Sequence, residues 1–453
     1  MGQPALEPRS RRARALPSSA RTGAVALGAV AGALTLAVYL IGGNRNLNYD
    51  SNFTVANFIA TPSVTDSLTR QIGVNNHPAL SLLDHIVYSM GGTSELALRV
   101  VPALFGAATV GLVAGWCARR FTPVAGLAAG AIVATNPMFA GLSREVRGYS
   151  IAAFFAVAST MLLVELLDSR RGWRVYAYVA SLALGLAAHL AFGVVLFGHA
   201  VFVLARGEFG RGWIRRWLVA GACGSVVYIG MLRPTGGGIL NGGSSFQSSF
   251  PGDLASAGLG GRALTIIPLA ILVLAGALRM RREWLAVAAG FAVPFGLLWL
   301  VPGAPVYLSP RYFFFWLVPA VAVVAALAVA RWRMAITLVA VAVAAAVAYQ
   351  APRWSDDPYP ARAVAAYVIR VELQGGRACG PLSASLAAYT RAPRQTDNPR
   401  GCDLFISHQT DQPSGRGFRY RWTLPAQTSV TLFSNRPRAS FRPLPPVAIR
   451  RSE

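Results

Sequence analysis

Long apolar runs alternate with short polar segments along most of the chain. A helix needs about 20 mostly apolar residues to cross a bilayer, because backbone polar groups in hydrocarbon must bond within the helix. Runs close to this length, or somewhat shorter, occupy residues 23–42, 96–116, 122–140, 149–167, 174–188, 190–205, 217–232, 263–278, 284–301, 312–330 and 334–349. The pattern predicts an all-α polytopic membrane protein with about eleven transmembrane helices.

Arginine clusters between the runs predict the orientation. Cytoplasmic loops carry an excess of basic residues. If residues 1–22 form a cytoplasmic basic tail, every loop that falls inside contains arginine: residues 119–120, 170–174, 206–216, 279–282 and 331–333. This agreement requires two helices in the apolar stretch 174–205, divided near His189. We expect a multi-pass protein of the plasma membrane, with residues 23–349 as its transmembrane domain.

The composition agrees with lipid as the main solvent. Charged residues make up 13% of the chain and apolar residues 54%, whereas soluble proteins carry about a quarter charged residues. The net charge of +24 is also typical of nucleic-acid-binding proteins. Because the basic clusters lie between apolar runs, we interpret them as topology determinants and expect no nucleic-acid partner. Neither Cys nor His occurs at metal-ligand spacing, so no metal site is predicted.

The C-terminal residues are more polar and predict a small α/β domain, residues 350–436, outside the cytoplasm. A helix is expected at residues 360–373, strands at 402–407 (CDLFIS) and 428–433 (TSVTLF), and a Pro/Arg-rich tail at 437–453. A disulfide between Cys379 and Cys402 would suit this location and contribute about 3 kcal/mol.

The first extracytoplasmic loop, residues 43–95, carries candidate catalytic chemistry. Tyr49 and Asp50 follow the first membrane helix, and His77 lies further along. A carboxylate held at the end of a membrane helix can act as a general base. The alternative is a hydrogen-bonded structural residue.

Arginines recur on the same side of the membrane. Arg144 and Arg147 lie in a short loop, and Arg311 and Tyr312 precede an aromatic-rich helix. Arginine forks bind phosphate in a bidentate manner. The alternatives are an ion pair with Glu145 and interfacial anchoring. His189, at the tip of a helical hairpin, is either a structural or a site residue.

These segments resemble the GT-C glycosyltransferases, in particular the protein-mannosyltransferase-like branch that includes bacterial lipid A aminoarabinose transferases. The resemblance lies in Asp50, His77-Pro78, residues 143–149 (SREVRGY), His189 and Pro310-Arg311-Tyr312. Where the family motif has Asp-Glu, this chain has Asp50-Ser51, and the family His-Pro-Pro ends here in Ala79.

The resemblance implies a function. Family members transfer a sugar from a polyprenyl-phosphate donor on the outer face of the membrane, usually with inversion. Asp50 would be the base. Donor-phosphate contacts would come from Arg144, Arg147, Arg311 and Tyr312, and substrate contacts from Tyr49, His77 and His189. Membrane lipid and a glycan, glycolipid or protein acceptor are the expected partners, with no cofactor beyond the donor.

Two other functions stay open. Transporters carry ionisable groups near mid-membrane and internal repeats, and the predicted spans are nearly free of such groups. A non-catalytic membrane scaffold is compatible with Ser51 in the family Glu position. We expect the glycosyltransferase, with neither the sugar nor the acceptor specified.

Overall fold

The protein is described here by a computed structural model that covers residues 18–70, 76–168, 172–228, 250–279, 310–353, 361–380, 386, 389, 402–407, 419–424 and 430–434. The predicted helix 284–301 and tail 437–453 lie outside these residues. The helices are α1 Ser18–Leu40, α2 Tyr49–Thr54, α3 Val64–Thr69, α4 Pro78–Ser89, α5 Glu95–Arg120, α6 Pro123–Thr135, α7 Pro137–Leu142, α8 Tyr149–Asp168, α9 Gly172–Ala188, α10 Gly193–Ala205, α11 Arg211–Ser225, α12 Phe250–Leu259, α13 Ala263–Ala277, α14 Phe314–Val329, α15 Met334–Gln350 and α16 Ala361–Leu373.

Many of these helices lie in the apolar runs that the sequence predicts to span the membrane. Arg21–Leu40, Glu95–Arg120 and Tyr149–Asp168 are each long and apolar enough to cross a bilayer, and Gly252–Leu259 with Ala263–Ala277, bent by 88°, makes a fourth if counted as one span. Other apolar helices in the described part of the chain have 10–17 residues. The count of eleven spans stays a prediction.

Glycines allow a close contact between α1 and α5. A Cβ on Gly28 would lie 2.6 Å from the Gly111 carbonyl oxygen, and one on Gly111 would lie 2.8 Å from the Gly28 oxygen. Gly32 and Gly115, one turn further along their helices, face the other helix's backbone at 3.2 and 3.1 Å. Small residues four apart let membrane helices approach backbone to backbone, so this contact anchors α1.

The predicted single helix 122–140 is wrong, because the chain breaks at Asn136. Pro137 has no N–H to continue α6 and disfavours helical geometry in the residue before it. Asn136 is extended, and its side chain caps α7 through the Phe139 amide at 3.0 Å. The same side chain donates to the Ala257 carbonyl at 2.9 Å. The break therefore directs α7 away from α6 and ties it to α12.

Another boundary also differs, since the predicted helix 217–232 begins earlier, at Arg211. The first turn of this helix is polar, so the apolar pattern did not mark where the helix begins.

A buried polar chain joins the helices around α9. His199, 1% exposed, lies 3.0 Å from the Thr160 hydroxyl and 3.1 Å from the Tyr178 hydroxyl, which accepts from Trp217 Nε1 at 3.0 Å. These side chains come from α8, α9, α10 and α11. Each polar group bonds another, so a structural role accounts for this histidine.

After α15, helix α16 precedes a four-stranded sheet. Its strands are β1 Ala378–Cys379, β2 Leu404–Ser407, β3 Tyr420–Leu424 and β4 Val430–Ser434, in the order β1-β2-β4-β3. β1 and β2 are parallel and the other pairs antiparallel. The sequence predicted β2 and β4 but missed β1, which has two residues, and β3. A disulfide joins Cys379 to Cys402.

The glycine contact between α1 and α5 predicts a position-specific loss of stability. Gly28→Ala should lower the unfolding temperature in detergent, at a cost of about 1–3 kcal/mol, because a backbone carbonyl must move. Gly23→Ala is the matched control on α1, since nothing lies within 4 Å of its added Cβ. Equal unfolding temperatures for the two variants would show that the contact is looser than described.

Candidate active site

In the loop between α1 and α5, described over residues 41–70 and 76–94, Asp50 lies at the start of α2. Asn48 caps α2 by accepting from the Ser51 amide at 2.8 Å. Asp50 therefore lies in the first turn, where the helix dipole favours a negative charge. Its Oδ2 is 2.9 Å from Arg311 Nη1, and its side chain is 26% exposed. Two predicted site residues from distant parts of the sequence thus form an ion pair open to solvent.

Arg99 fixes the backbone around this site. Its buried guanidinium, on α5, donates to the carbonyls of Gly43, Arg45 and Asn46 in the first loop. Its Nε donates to the Arg144 carbonyl at 3.1 Å. Arg99 is not among the residues that the sequence pattern predicts for the site. An arginine one turn into an apolar helix was the available signal, because such a charge must find partners.

The loop between α7 and α8, residues 143–148, docks onto α2. The Val146 amide donates to Ser51 Oγ at 3.1 Å, and Arg147 Nη1 donates to Thr54 Oγ1 at 3.1 Å. Ser51, only 1% exposed, thus has a structural contact at the position of the family Glu. The small hydroxyl lets the two loops meet.

The guanidinium groups of Arg144 and Arg147 bind different segments of the protein. The Arg144 guanidinium donates to the Ile41 carbonyl at the end of α1. Burial lowers the pKa of Arg144 to about 10, with the positive charges of Arg45 and Arg99 adding to the effect. The predicted phosphate contact of Arg144 stays untested, but its position suits a structural role. The side chain of Tyr49, a predicted substrate contact, is exposed, with 43% of its surface open to solvent.

Two imidazoles and two phenols form a cluster behind the ion pair. The ring centres of His77 and His189 are 5.0 Å apart, Tyr149 is 5.1 Å from His189, and Tyr312 is 5.6 Å from it. His77 Nδ1 donates to the Ala188 carbonyl at 3.2 Å. This imidazole–tyrosine cluster joins four segments of the chain.

Both imidazoles are neutral at physiological pH. Burial, aided by the charges of Arg147 and Arg311, lowers the pKa of His189 to about 3. Burial, with Arg147 and His189, holds the pKa of His77 well below its ordinary value. His189 Nδ1 accepts from the Ala191 amide at 3.1 Å, so its Nε2 carries the proton. Neutral imidazoles can bond sugar hydroxyls without adding charge to the site.

A cleft of about 530 Å³ opens beside Arg311. Glu145, Asp253 and Tyr349 also line it. Burial raises the pKa of Glu145 to about 6, Asp50 raises it further, and Arg147 and Arg311 oppose the shift. From the sequence, Glu145 was expected only as a possible ion-pair partner of the neighbouring arginines. Among the described residues, no group of three His, Cys, Asp or Glu is arranged to hold a metal ion.

Comparison with known proteins bears on these features. Residues 76–232 match the family model of the dolichyl-phosphate-mannose-protein mannosyltransferases. The fold is similar to crystal structures of ArnT from Cupriavidus metallidurans. The apo state aligns with a TM-score of 0.57 and 16% identity over 83% of this chain and 86% of ArnT. The match to this family model, together with the fold similarity to ArnT, supports the resemblance to the GT-C glycosyltransferases.

A second GT-C structure, ArnT from Cupriavidus metallidurans bound to undecaprenyl phosphate, also has a TM-score of 0.57. Its identity is 14% over 93% of this chain and all of ArnT. No curated protein sequence matches significantly. The predicted GT-C resemblance is confirmed, while the roles of individual site residues stay predictions.

Glu145 predicts a pH dependence of stability. Its folded-state pKa of about 6 exceeds the unfolded value of about 4.3, so the fold favours the protonated form. The stability that protonated Glu145 contributes to the folded state is present below about pH 4 and is lost as pH rises through about 6. The free energy of unfolding of Glu145→Gln should therefore rise relative to that of wild type by about 1–2 kcal/mol between pH 5 and 7.5.

Thermal unfolding measured across this pH range checks the prediction. Asp253→Asn is the control, because it removes an exposed carboxylate from the same cleft. A constant difference between Glu145→Gln and wild type at every pH would contradict the raised pKa.

Proposed function

We propose that the protein transfers a sugar from a polyprenyl-phosphate donor to a cell-envelope acceptor on the outer face of the plasma membrane, with inversion and with Asp50 as base. The observation that carries this proposal is the Asp50–Arg311 ion pair at 2.9 Å, beside a cleft of about 530 Å³. It supports a base and a phosphate-binding cation acting next to each other. The GT-C fold is consistent with this chemistry.

The reaction divides the charges between these groups. Asp50 accepts the proton of an acceptor hydroxyl as its oxygen attacks the anomeric carbon. The bond from that carbon to the phosphate oxygen breaks, and polyprenyl phosphate leaves with the electron pair. Arg311 and Arg147 stabilise the negative charge that develops on the phosphate, the kind of electrostatic contribution that is often the largest in catalysis.

The donor class draws support from a similar structure. ArnT from Cupriavidus metallidurans has been solved with undecaprenyl phosphate, a polyprenyl phosphate. In this chain, His77 and His189 would orient sugar hydroxyls, with Tyr312 beside Arg311. We infer that membrane lipid surrounds the helices, that the N-terminus is cytoplasmic and that residues 350–436 lie outside. The acceptor is a glycan, a glycolipid or a protein.

Replacement of Asp50 tests the proposal. Asp50→Asn keeps the size of the side chain but removes its basicity, so transfer should fall by about 10²–10⁴-fold while the donor still binds. Purified protein in lipid nanodiscs is assayed with a panel of radiolabelled polyprenyl-phosphate sugars and membrane extract as acceptor. Donor binding is measured separately, by retention of labelled donor.

Asp66→Asn is the matched control. Asp66 lies in the same loop, but its carboxylate accepts a hydrogen bond from Ser63, the N-cap residue of its own helix α3. Transfer should therefore persist in this variant. Full turnover in Asp50→Asn would exclude Asp50 as the base. No transfer from any donor by folded wild-type protein would instead favour a scaffold or transporter.

A further inference from the structure

Tyr389, far along the chain, reaches the loop that carries Asp50. Its hydroxyl accepts from the Leu47 amide at 3.0 Å and donates to Glu95 Oε1 at 3.1 Å. Tyr389 is 3% exposed, Leu47 is fully buried and Glu95 is 2% exposed. A single hydroxyl therefore connects the first loop to the start of α5 inside the protein.

Leu47 is held on both sides of its backbone. Its amide bonds Tyr389, and its carbonyl accepts from Asn52 Nδ2 at 2.9 Å. Asn52 belongs to α2, and Asn48, which follows Leu47, is the N-cap of that helix. The bond to Tyr389 thus fixes the residue from which the helix of Asp50 is built.

Glu95 is the second anchor of the same contact. Arg362, on α16, donates to both of its carboxylate oxygens, with Nε at 2.6 Å from Oε1. The Arg362 amide also donates to Asn46 Oδ1 at 3.3 Å. Charged, bidentate bonds of this kind are among the strongest in proteins. The segment after α15 therefore meets the first loop through a buried polar contact.

The disulfide encloses Tyr389. Cys379 lies on β1 and Cys402 precedes β2, with their Cα atoms 5.8 Å apart and a sequence separation of 23 residues. Tyr389 lies within the ring of chain that this bond closes. Such a crosslink limits the conformations open to the enclosed segment.

We propose that Tyr389 is a positioning residue for Asp50, held in place by the Cys379–Cys402 disulfide. The inference rests on the proposed function, because positioning matters only if Asp50 reacts. Small displacements of a reacting group cost large factors in rate. Loss of the Tyr389 hydroxyl should therefore slow turnover more than it weakens donor binding.

Tyr389→Phe is the direct test, since it removes one oxygen and keeps the ring. In nanodiscs with a polyprenyl-phosphate sugar donor, kcat should fall about tenfold while KM for the donor stays within about twofold of wild type. Hydrogen exchange should accelerate at the Leu47 amide, measured on peptides that cover residues 44–54, and stay unchanged in α8. Tyr420→Phe is the control, because Tyr420 is exposed on β3, in the sheet that contains Cys379.

The disulfide is tested with a dithiol. Dithiothreitol supplies two electrons and two protons to the bond, giving two cysteine thiols and its own cyclic disulfide, and should reproduce the kcat loss. Cys379→Ser/Cys402→Ser should show that loss without reductant. Cys223→Ser, which removes an exposed free cysteine, should respond to dithiothreitol as wild type does.

The outcomes separate the two proposals. Wild-type kcat in Tyr389→Phe, with or without faster exchange at Leu47, would overturn the positioning role. A fall in kcat accompanied by global loss of protection would also overturn it, because the hydroxyl would then support the whole fold. Folded wild-type protein without transfer from any donor would overturn the proposed function itself.

Discussion

The Arg99 guanidinium, on a helix of otherwise apolar character, needs hydrogen-bond acceptors wherever it is buried. It finds them in the carbonyls of Gly43, Arg45, Asn46 and Arg144. A buried cation without such partners is strongly unfavourable, so the two loops and α5 cannot separate without a large cost. The position of α2, and therefore of Asp50, follows from this requirement. So does the docking of residues 143–148, which brings Arg147 to the site.

The charged groups around the site differ in their exposure to solvent and in their partners. Arg311 pairs with Asp50 where both side chains are partly exposed to solvent, whereas Arg144 is turned to the Ile41 carbonyl. Burial keeps the pKa of His189 low, and the positive charges of Arg147 and Arg311 add to the effect. The site thus combines one ion pair and the positive charge of Arg147 with two neutral imidazoles. Such an arrangement can bind an anionic, hydroxyl-rich ligand with little competing repulsion.

Local pattern predicted much of the fold. Hydrophobic runs located α1, α5 and α8 to within a few residues, because burial in an apolar medium depends on composition along one helix. The break at Asn136 was not predicted, because a run of apolar residues does not show where a proline divides it into two helices. Asp50, Arg311 and His189 were found through short motifs. Their mutual distances were not, because these depend on contacts between distant segments.

The missed residues have a common physical origin. Arg99, Glu95 and Tyr389 act through partners that lie far away in sequence, so no local spacing marks them. Ser51 shows the opposite case. Its identity was noticed as a departure from the family motif, but its bond to the Val146 amide could be seen only in three dimensions. Sequence reasoning therefore identified the candidate site residues better than the residues that hold them in place.

The contact between Glu95 and Arg362 has a consequence for synthesis. The two residues are 267 positions apart, and Tyr389 follows still later. Ribosomes add about 5–20 residues per second, so Glu95 precedes its partner by roughly 13–55 seconds. During that interval its carboxylate, destined for burial, has to stay hydrated or borrow another partner. A nascent chain that already has Asp50 and most of its helices is therefore still unfinished at the site, and truncation before residue 362 would leave it so.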